Sequence, residues 1–330
     1  MGTLDELVAV LSGRRLVVLT GAGISTDSGI PDYRGPDSPP RRPMTFQQFV
    51  GDESFRRHYW ARNQVGWRHV ATRQPNAGHR ALAELEARGV VAGVITQNVD
   101  LLHEAAGSRR VIDLHGTYAE VVCLRCGHRY TRDEVADRLD ELNPGFVERV
   151  GDVGDVEIAP DADAVIERTA GFVVAACWAP APDDARPTGP REPATLPPVR
   201  TSARPTSSDE ERVDSAAPDA GKSTRSRDDG RCGGILKPDI VYFGETVPAA
   251  RVHAAYALVD EAEAMLVAGS SLAVQSGLRF VRHAAAAGKP VAVVNRGATR
   301  GDRFAAVAVH AGTSEALAEL VERLPSPVPR

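Results

Sequence analysis

The chain has 330 residues, a formal net charge of -5 at pH 7, 42% hydrophobic residues and 25% charged residues, values typical of a soluble globular protein. The slightly acidic balance argues against a dedicated nucleic-acid binder, which needs an excess of Lys and Arg on one face to neutralise phosphates. No apolar run is long enough to span a bilayer, and Met1 to Arg15 lack the features of a signal peptide. We therefore expect a cytoplasmic protein with no nucleic-acid partner and no membrane partner.

The first part of the chain predicts helices that alternate with short apolar strands. A short amphipathic helix is predicted over 4–12, and Leu16–Thr20 predicts a buried strand that runs into Gly-Ala-Gly. A helix from Asn76 to Arg88 is followed by predicted strands at Val90–Thr96 and Val111–Leu114.

The last hundred residues continue this alternation. Strands are predicted at Lys237–Phe243, Met265–Ala268 and Pro290–Asn295. Helices are predicted at Leu278–Ala287 and Ser314–Leu324. Short apolar strands alternating with helices indicate an α/β fold with a doubly wound, parallel, Rossmann-like sheet covered by helices on both faces.

Two stretches interrupt the alternation and predict inserted modules. Residues 36–73 are rich in Arg and aromatic side chains and predict small helices. Residues 117–235 hold all four cysteines and no long periodic element. Within them, residues 178–231 contain no Phe, Ile, Tyr or Met, so we predict disorder, because this segment cannot bury enough apolar surface to offset its chain entropy. The predicted division is a Rossmann-like domain (1–35, 74–116 and 236–330), a helical module (36–73), a cysteine-containing module (117–177 and 232–235) and a disordered insertion (178–231).

The strongest functional signal is the glycine-rich turn Gly21–Ser25, which follows a strand. Glycines let the backbone approach a pyrophosphate, and the N–H groups of the next turn can point at its oxygens. For this motif alone, a tight turn without a ligand is the alternative. The third glycine of the dehydrogenase fingerprint is missing, and no acidic residue follows a second strand at the expected distance. The turn therefore indicates a dinucleotide site of another kind.

The turn continues as Thr26-Asp27-Ser28-Gly29-Ile30-Pro31-Asp32-Tyr33-Arg34-Gly35, and the whole stretch resembles the NAD-binding motif of the sirtuins. Further motifs follow in the order that the family uses: Thr96-Gln97-Asn98-Val99-Asp100, Leu114-His115-Gly116, Cys123-Leu124-Arg125-Cys126, Cys232-Gly233-Gly234, Lys237 to Glu245, Gly269-Ser270-Ser271-Leu272 and Val294-Asn295. The resemblance covers nearly the whole chain apart from 178–231. Tyr59–Asn63 and Arg109-Arg110 resemble the class II branch most closely.

The resemblance implies an NAD-dependent protein-lysine deacylase that acts on acyl-lysine proteins. In the family, the nicotinamide–ribose bond of NAD is cleaved, the acyl oxygen attacks the ribose, and water later releases lysine and O-acyl-ADP-ribose. His115 matches the histidine that acts as general base on a ribose hydroxyl, a role that suits a neutral imidazole. Asn98 and Asp100 match the pair that holds the ribose and the nicotinamide amide.

The resemblance also implies which residues contact NAD and the substrate. The residues expected to bind NAD are Gly21, Ala22, Gly23, Ser25, Asp32, Tyr33, Arg34, Gln97, Asn98, Asp100, Gly269, Ser270, Ser271, Asn295, Arg296, Gly297 and Thr313. The substrate peptide is expected to add as a strand between the loop after Gly269 and the segment that holds Val241, Phe243, Gly244 and Glu245.

Four cysteines that include a Cys-x-x-Cys are more typical of a metal site than of disulfides in a cytoplasmic chain. The resemblance implies one structural Zn²⁺ bound by Cys123, Cys126, Cys177 and Cys232. In the family the second pair is close in sequence, whereas here the insertion separates Cys177 from Cys232. Closing this longer loop costs roughly 3 kcal/mol, and four thiolates on zinc supply on the order of 10 kcal/mol. The alternatives are a three-cysteine site completed by a ligand such as His128, or no metal.

Tyr59 and Arg62 are three residues apart, so they share one face of a predicted helix. In one class II group, a Tyr-x-x-Arg pair recognises acidic acyl chains such as succinyl and malonyl, since a guanidinium can hold a carboxylate bidentately. The alternative is that both residues pack the helical module. Two other functions stay open, a mono-ADP-ribosyltransferase and a sensor that binds NAD or ADP-ribose without turnover. We expect a monomer.

Overall fold

The structure is a computed structural model that describes residues 2–33, 43–150, 169–182 and 230–326. Its helices are α1 (Leu4–Leu11), α2 (Phe46–Gly51), α3 (Glu53–Ala71), α4 (Ala77–Ala87), α5 (Leu102–Ala105), α6 (Arg132–Leu142), α7 (Phe146–Val150), α8 (Ala249–Glu261), α9 (Gln275–Ala286) and α10 (Thr313–Arg323). Its strands are β1 (Leu16–Thr20), β2 (Val91–Thr96), β3 (Val111–Asp113), β4 (Gly116–Cys123), β5 (Arg129–Thr131), β6 (Leu236–Ile240), β7 (Ala264–Ala268), β8 (Val291–Val294) and β9 (Val307–Val309).

Six strands form a parallel sheet in the order β3-β2-β1-β7-β8-β9. Every residue of β1 and β7 is buried, as expected where helices cover both faces of a parallel sheet. One face packs against α1, α4 and α10, and the other packs against α8 and α9. The predicted doubly wound α/β fold is confirmed.

A second sheet of three antiparallel strands has the order β5-β4-β6. Lys237–Phe243 was predicted as a strand of the parallel sheet, and this placement is wrong, because β6 pairs with β4. Pro238 explains the edge position of β6, since proline has no N–H to donate to a second neighbour. An apolar run predicts a strand without predicting its partner.

The helical and cysteine-containing modules share one hydrophobic core. Phe49, Tyr59 and Trp60 from α2 and α3 pack with Tyr118 and Leu139 from β4 and α6. The prediction that 117–235 hold no long periodic element is wrong at α6. Its 11 residues begin after a capping box formed by Thr131 and Glu134, a pattern that is visible in the sequence.

The predicted disordered segment 178–231 is too wide at both ends. Pro180 pairs with Arg231, and the backbone N–H of Cys232 donates to the carbonyl of Ala179. Trp178 packs against Tyr130 with ring centroids 4.0 Å apart and the ring planes tilted by 39°. Residues 183–229, where the rest of this prediction falls, lie outside the described residues. Among the described residues, no helix has the length and apolar character needed to cross a membrane.

Candidate active site

A cavity of about 770 Å³ opens at the carboxyl ends of the central strands β1, β2, β7 and β8, and the second sheet and α3 supply its other walls. Ligands of doubly wound folds bind at this edge of the sheet. The cavity is lined by His115 and by 16 of the residues expected to bind NAD: Gly21, Ala22, Gly23, Ser25, Asp32, Tyr33, Gln97, Asn98, Asp100, Gly269, Ser270, Ser271, Asn295, Arg296, Gly297 and Thr313. Arg34, the remaining one, lies outside the described residues.

Two glycine loops cross at the floor of this cavity. The N–H of Gly23 donates to the carbonyl of Gly269 over 2.8 Å. A Cβ added to Gly23 would lie 2.8 Å from that carbonyl oxygen, and one added to Gly269, whose φ is +64°, would lie 2.3 Å from the backbone N of Ile24. Glycine at both positions therefore keeps two backbones in contact, and this leaves a floor of main chain that suits a pyrophosphate.

Ser25 connects the polar side chains that follow β2. Its Oγ donates to Asp100 Oδ2 over 2.7 Å and accepts from Asn98 Nδ2 over 3.0 Å. The backbone N of Asn98 donates to Thr96 Oγ1. Burial raises the pKa of the Asp100 carboxyl, and the hydrogen bond from Ser25 opposes that rise. These contacts hold Asn98 and Asp100 in fixed orientations before any ligand binds.

Two buried histidines lie beside the Ser25–Asn98–Asp100 cluster. His79 Nε2 lies 3.5 Å from Ser25 Oγ, and its ring packs edge-on against His103 with centroids 4.9 Å apart. His103 Nε2 lies 2.9 Å from Thr20 Oγ1. Burial lowers the pKa of His79 to about 4 and the pKa of His103 to about 3. Arg80 adds a smaller effect at His79, and the neighbouring His79 ring adds one at His103. Both rings are therefore neutral near pH 7, and neither was predicted from the sequence.

His115 lies between β3 and β4 with both ring nitrogens engaged. Nδ1 is 3.0 Å from the carbonyl oxygen of Gln97 and Nε2 is 2.8 Å from Ser276 Oγ. A carbonyl only accepts, so Nδ1 carries the proton and Nε2 presents a lone pair. Burial is the main cause that lowers the pKa of His115 to about 4. The hydrogen bond to the Gln97 carbonyl raises this pKa, and the positive charge of Arg251 lowers it. The His115 imidazole is therefore neutral at physiological pH.

Ser276 is a site residue that the sequence analysis missed. It lies in the first turn of α9 and lines the cavity. Its separation from His115 by 161 residues hides the contact in the sequence. The only available signal was its position shortly after the Gly269–Leu272 motif. Gln97, whose carbonyl fixes the histidine tautomer, is itself held by a bond from its Nε2 to Ser270 Oγ over 2.7 Å.

The expected substrate edge, Tyr242–Glu245, is held by a buried ion pair. Lys237 Nζ lies 3.1 Å from Glu245 Oε1 and donates to the carbonyl of Ile240 over 2.6 Å. Glu245 also accepts from the backbone N of Tyr242. Burial lowers the pKa of Lys237, and Glu245 opposes that shift. The expected substrate residues Val241, Phe243, Gly244 and Glu245 all line the cavity, and Lys237, which holds them, was not predicted.

The Tyr59–Arg62 pair is divided between two environments. Tyr59 lines the cavity and packs against Phe49 and Tyr242, with centroids 5.4 and 5.3 Å apart. Arg62 is not among the described residues that line the cavity, and its Nη1 lies 2.9 Å from His58 Nε2. The wall beside Tyr59 is therefore aromatic.

The four cysteines come together in one cluster. Their sulfur atoms all lie within 4.8 Å of one another, and Cys123–Cys232 and Cys126–Cys177 are each 3.7 Å apart. Tetrahedral thiolates at about 2.3 Å from zinc have sulfurs about 3.8 Å apart. The donor set and its spacing fit a structural Zn²⁺. Cys177 reaches the cluster because its N–H and carbonyl pair with Gly234 and Gly233.

A parallel sheet that brings a glycine crossing, a neutral histidine and a carboxylate to one cavity is typical of α/β proteins that bind a dinucleotide. The family model described as the Sir2 family matches residues 21–176 and 199–276. A Mycobacterium avium (strain 104) protein named NAD-dependent protein deacetylase 1 is 55% identical over 324 residues, covering 98% of this chain and 96% of that protein. This chain belongs to the Sir2 family.

Two further relatives agree with this assignment. A Streptomyces coelicolor protein named NAD-dependent protein deacetylase 1 is 43% identical over 329 residues, which cover 98% of this chain and 91% of that protein. A solved structure titled as a Sir2, p53 peptide and NAD+ complex is 26% identical with a TM-score of 0.65, and the match covers 97% of this chain and 98% of that one.

Proposed function

We propose that this chain is an NAD-dependent protein-lysine deacetylase that consumes NAD and releases nicotinamide and O-acyl-ADP-ribose. The observation that carries the proposal is His115, a neutral base that shares one cavity with the Ser25–Asn98–Asp100 cluster and the glycine crossing. Relatives named NAD-dependent protein deacetylases support it. NAD supplies the nicotinamide–ribose bond that is cleaved and the ADP-ribose that accepts the acyl group.

Different residues around the cavity bind different parts of the cofactor. The main-chain floor at Gly23 and Gly269 faces the pyrophosphate. Asn98 and Asp100, held by Ser25, orient the nicotinamide ribose and the amide. Asn295 and the following loop, which line the same cavity, hold the adenosine.

His115 removes a proton from a ribose hydroxyl. Its Nε2 is the acceptor, because the Gln97 carbonyl keeps the proton on Nδ1. Ser276 donates a hydrogen bond to the same lone pair. This hydrogen bond therefore breaks when the ribose hydroxyl approaches Nε2. Burial of the imidazole lowers its pKa and keeps the base neutral near pH 7.

The substrate chain adds as a strand between Tyr242–Glu245 and the loop that begins at Leu272. Main-chain pairing tolerates many sequences around the acyl-lysine. The aromatic wall at Tyr59 favours a short uncharged acyl group, since the guanidinium of Arg62 lies against His58. A comparison of Arg62→Met on acetyl-lysine and succinyl-lysine peptides tests this choice. A selective loss of succinyl activity would favour a carboxylate-binding Arg62, and equal losses favour packing.

The four-cysteine cluster holds one structural Zn²⁺, which stabilises the module that carries β4 and β5. The protein acts as a cytoplasmic monomer without a nucleic-acid partner. Sedimentation of the purified chain tests the monomer.

A panel of acyl-lysine peptides incubated with NAD and analysed by mass spectrometry tests the proposed reaction. We expect the acetylated peptide to lose its acyl group as O-acetyl-ADP-ribose and nicotinamide form. ADP-ribose retained on protein without acyl loss would identify a mono-ADP-ribosyltransferase instead. No nicotinamide release with any acyl group would indicate a non-catalytic sensor.

A further inference from the structure

A second recess of about 390 Å³ lies beside the main cavity. We call it the arginine recess, and it is lined by Gln275, Leu278, Arg282, Thr299, Arg300 and Arg303. The first turns of α9 form one wall and the segment 299–303 forms the other. All three arginines are exposed. The recess therefore presents three guanidinium groups from two separate chain segments in one concave surface.

The wall opposite α9 is anchored to the expected substrate-binding loop. Arg300 donates through its backbone N to the carbonyl of Ser271 over 3.1 Å and through Nη1 to the carbonyl of Ala273 over 2.9 Å. Leu272 packs so closely on Gly301 that an added Cβ would lie 2.4 Å from Leu272 Cδ1. Hydrogen bonds and packing thus hold the recess in a fixed position relative to the loop at Leu272.

Within the described residues, no carboxylate lies within ion-pair distance of Arg282, Arg300 or Arg303. The nearest acidic residue in sequence, Asp302, accepts hydrogen bonds from the backbone N and Oγ1 of Thr299. Its Oδ2 also lies 4.0 Å from Nε2 of His310. In a chain whose formal net charge is -5, these three arginines therefore lie together without an acidic partner among the described residues.

The recess continues the proposed substrate cleft. Gln275 lines both the recess and the main cavity. On the same helix, Arg279 lines the main cavity and Arg282, one turn further, lines the recess. A peptide that pairs with the Leu272–Val274 edge and continues past Gln275 would run over the three arginines.

We propose that the arginine recess binds acidic side chains of the protein substrate that lie on the Gln275 side of the acyl-lysine. The inference rests on the proposed deacetylase function and adds a substrate class to it. Guanidinium groups pair with carboxylates bidentately and selectively. Exposed pairs are individually weak, but opposite charge around a cleft speeds encounter and favours matching partners. Main-chain pairing in the cleft does not depend on the sequence of the substrate peptide, whereas the recess selects peptides with acidic side chains.

The test compares three acetyl-lysine peptides: one with Ala around the lysine, one with Asp residues on its N-terminal side and one with Asp residues on its C-terminal side. We expect Asp on one side only to lower the peptide KM by about five- to tenfold with kcat unchanged. The Arg282→Gln, Arg303→Gln double variant is expected to lose this preference while it keeps the wild-type rate on the Ala peptide. Arg138→Gln, on α6 and not among the described residues that line the cavity or the recess, is the control and keeps the preference.

The outcomes separate failure of the inference from failure of the proposed function. Equal KM values for all three peptides, together with turnover of the Ala peptide, would overturn the inference but leave the proposed deacetylase function unaffected. A double variant that raises the KM for NAD instead of the KM for the acidic peptide would assign the recess to the cofactor and overturn it as well. No turnover of any peptide would remove the proposed function and the inference together. A preference that weakens at about 0.5 M NaCl supports the ion pairs.

Discussion

Ser276 Oγ lies 2.8 Å from Nε2 of His115. The proposed proton acceptor therefore has a hydrogen-bonding partner from α9 before the ribose arrives. A hydroxyl that donates to this lone pair stabilises the neutral ring and aligns it. Ser276 thus holds the orientation of the ring, and in the proposed reaction it competes with the ribose hydroxyl for the same nitrogen.

Replacement of Ser276 by Ala removes the donor to the neutral imidazole, so we expect the pKa of His115 to rise. The base acts when it is neutral and is lost as pH falls through its pKa, so the acidic limb of the kcat/KM profile moves to higher pH. The pH profile with acetyl-lysine peptide measures this shift. Ser276→Thr keeps the hydroxyl and is expected to restore the wild-type profile, whereas an unmoved profile in Ser276→Ala would show that the contact has no part in tuning the base.

The buried histidines predict how stability depends on pH. Native pKa values of about 4 for His79 and about 3 for His103 lie below the roughly 6.5 of an unfolded histidine. As pH falls from about 6.5 to about 4, the unfolded chain binds protons that the native chain excludes, so the free energy of unfolding decreases over this window.

Replacement of His103 by Gln removes one of these groups. Between about pH 7.5 and about pH 5.5, the variant should lose roughly 1 kcal/mol less free energy of unfolding than the wild type. Urea unfolding at the two pH values measures the difference. His253→Gln changes an exposed histidine on α8 and serves as the control. Identical pH dependence in His103→Gln and the wild type would contradict burial of a neutral His103.

Lys237 predicts a link between a buried charge and substrate binding. Lys237→Met leaves Glu245 without its cation, and loss of one partner of a largely buried pair costs roughly 2–4 kcal/mol. We expect a lower melting temperature and a higher KM for the peptide, because Glu245 then releases the Tyr242–Glu245 edge. Thermal unfolding and peptide kinetics at saturating NAD measure both. The double variant Lys237→Met, Glu245→Gln should recover part of the stability, and a single variant with unchanged peptide KM would exclude this positioning role.

Cys177 tests the zinc site across the insertion. Its sulfur lies 3.7 Å from that of Cys126, so Cys177→Ser should lower the zinc content of the purified protein and its thermal stability. Tyr130→Phe is the matched control, since it removes a hydroxyl 3.3 Å from Cys177 Sγ and leaves all four thiols. Metal analysis gives the answer, and undiminished zinc in Cys177→Ser would remove Cys177 from the site.

Local pattern made the central sheet predictable. Leu16–Thr20 and the glycines after it predict a buried strand that runs into a glycine turn, and both occur where expected. The edge position of β6 was not predictable, because strand pairing depends on a partner more than 100 residues away. Helix α6 was missed although its capping box at Thr131 was visible.

The candidate site likewise contains residues that the sequence predicts and residues that it does not. His115, Asn98 and Asp100 belong to motifs, so the family resemblance placed them in one cavity with the glycine crossing. Ser276 and Lys237 act through contacts with residues that only the fold brings near, and no spacing rule reports them.

The most direct test of the central claim is a stoichiometric measurement with acetyl-lysine peptide, NAD and three proteins: wild type, His115→Ala and His253→Ala. We predict that the wild type and His253→Ala form nicotinamide and deacetylated peptide in equal amounts. His115→Ala should lose deacetylation by on the order of 100-fold or more. Deacetylation without NAD, or an unchanged rate in His115→Ala, would contradict the account.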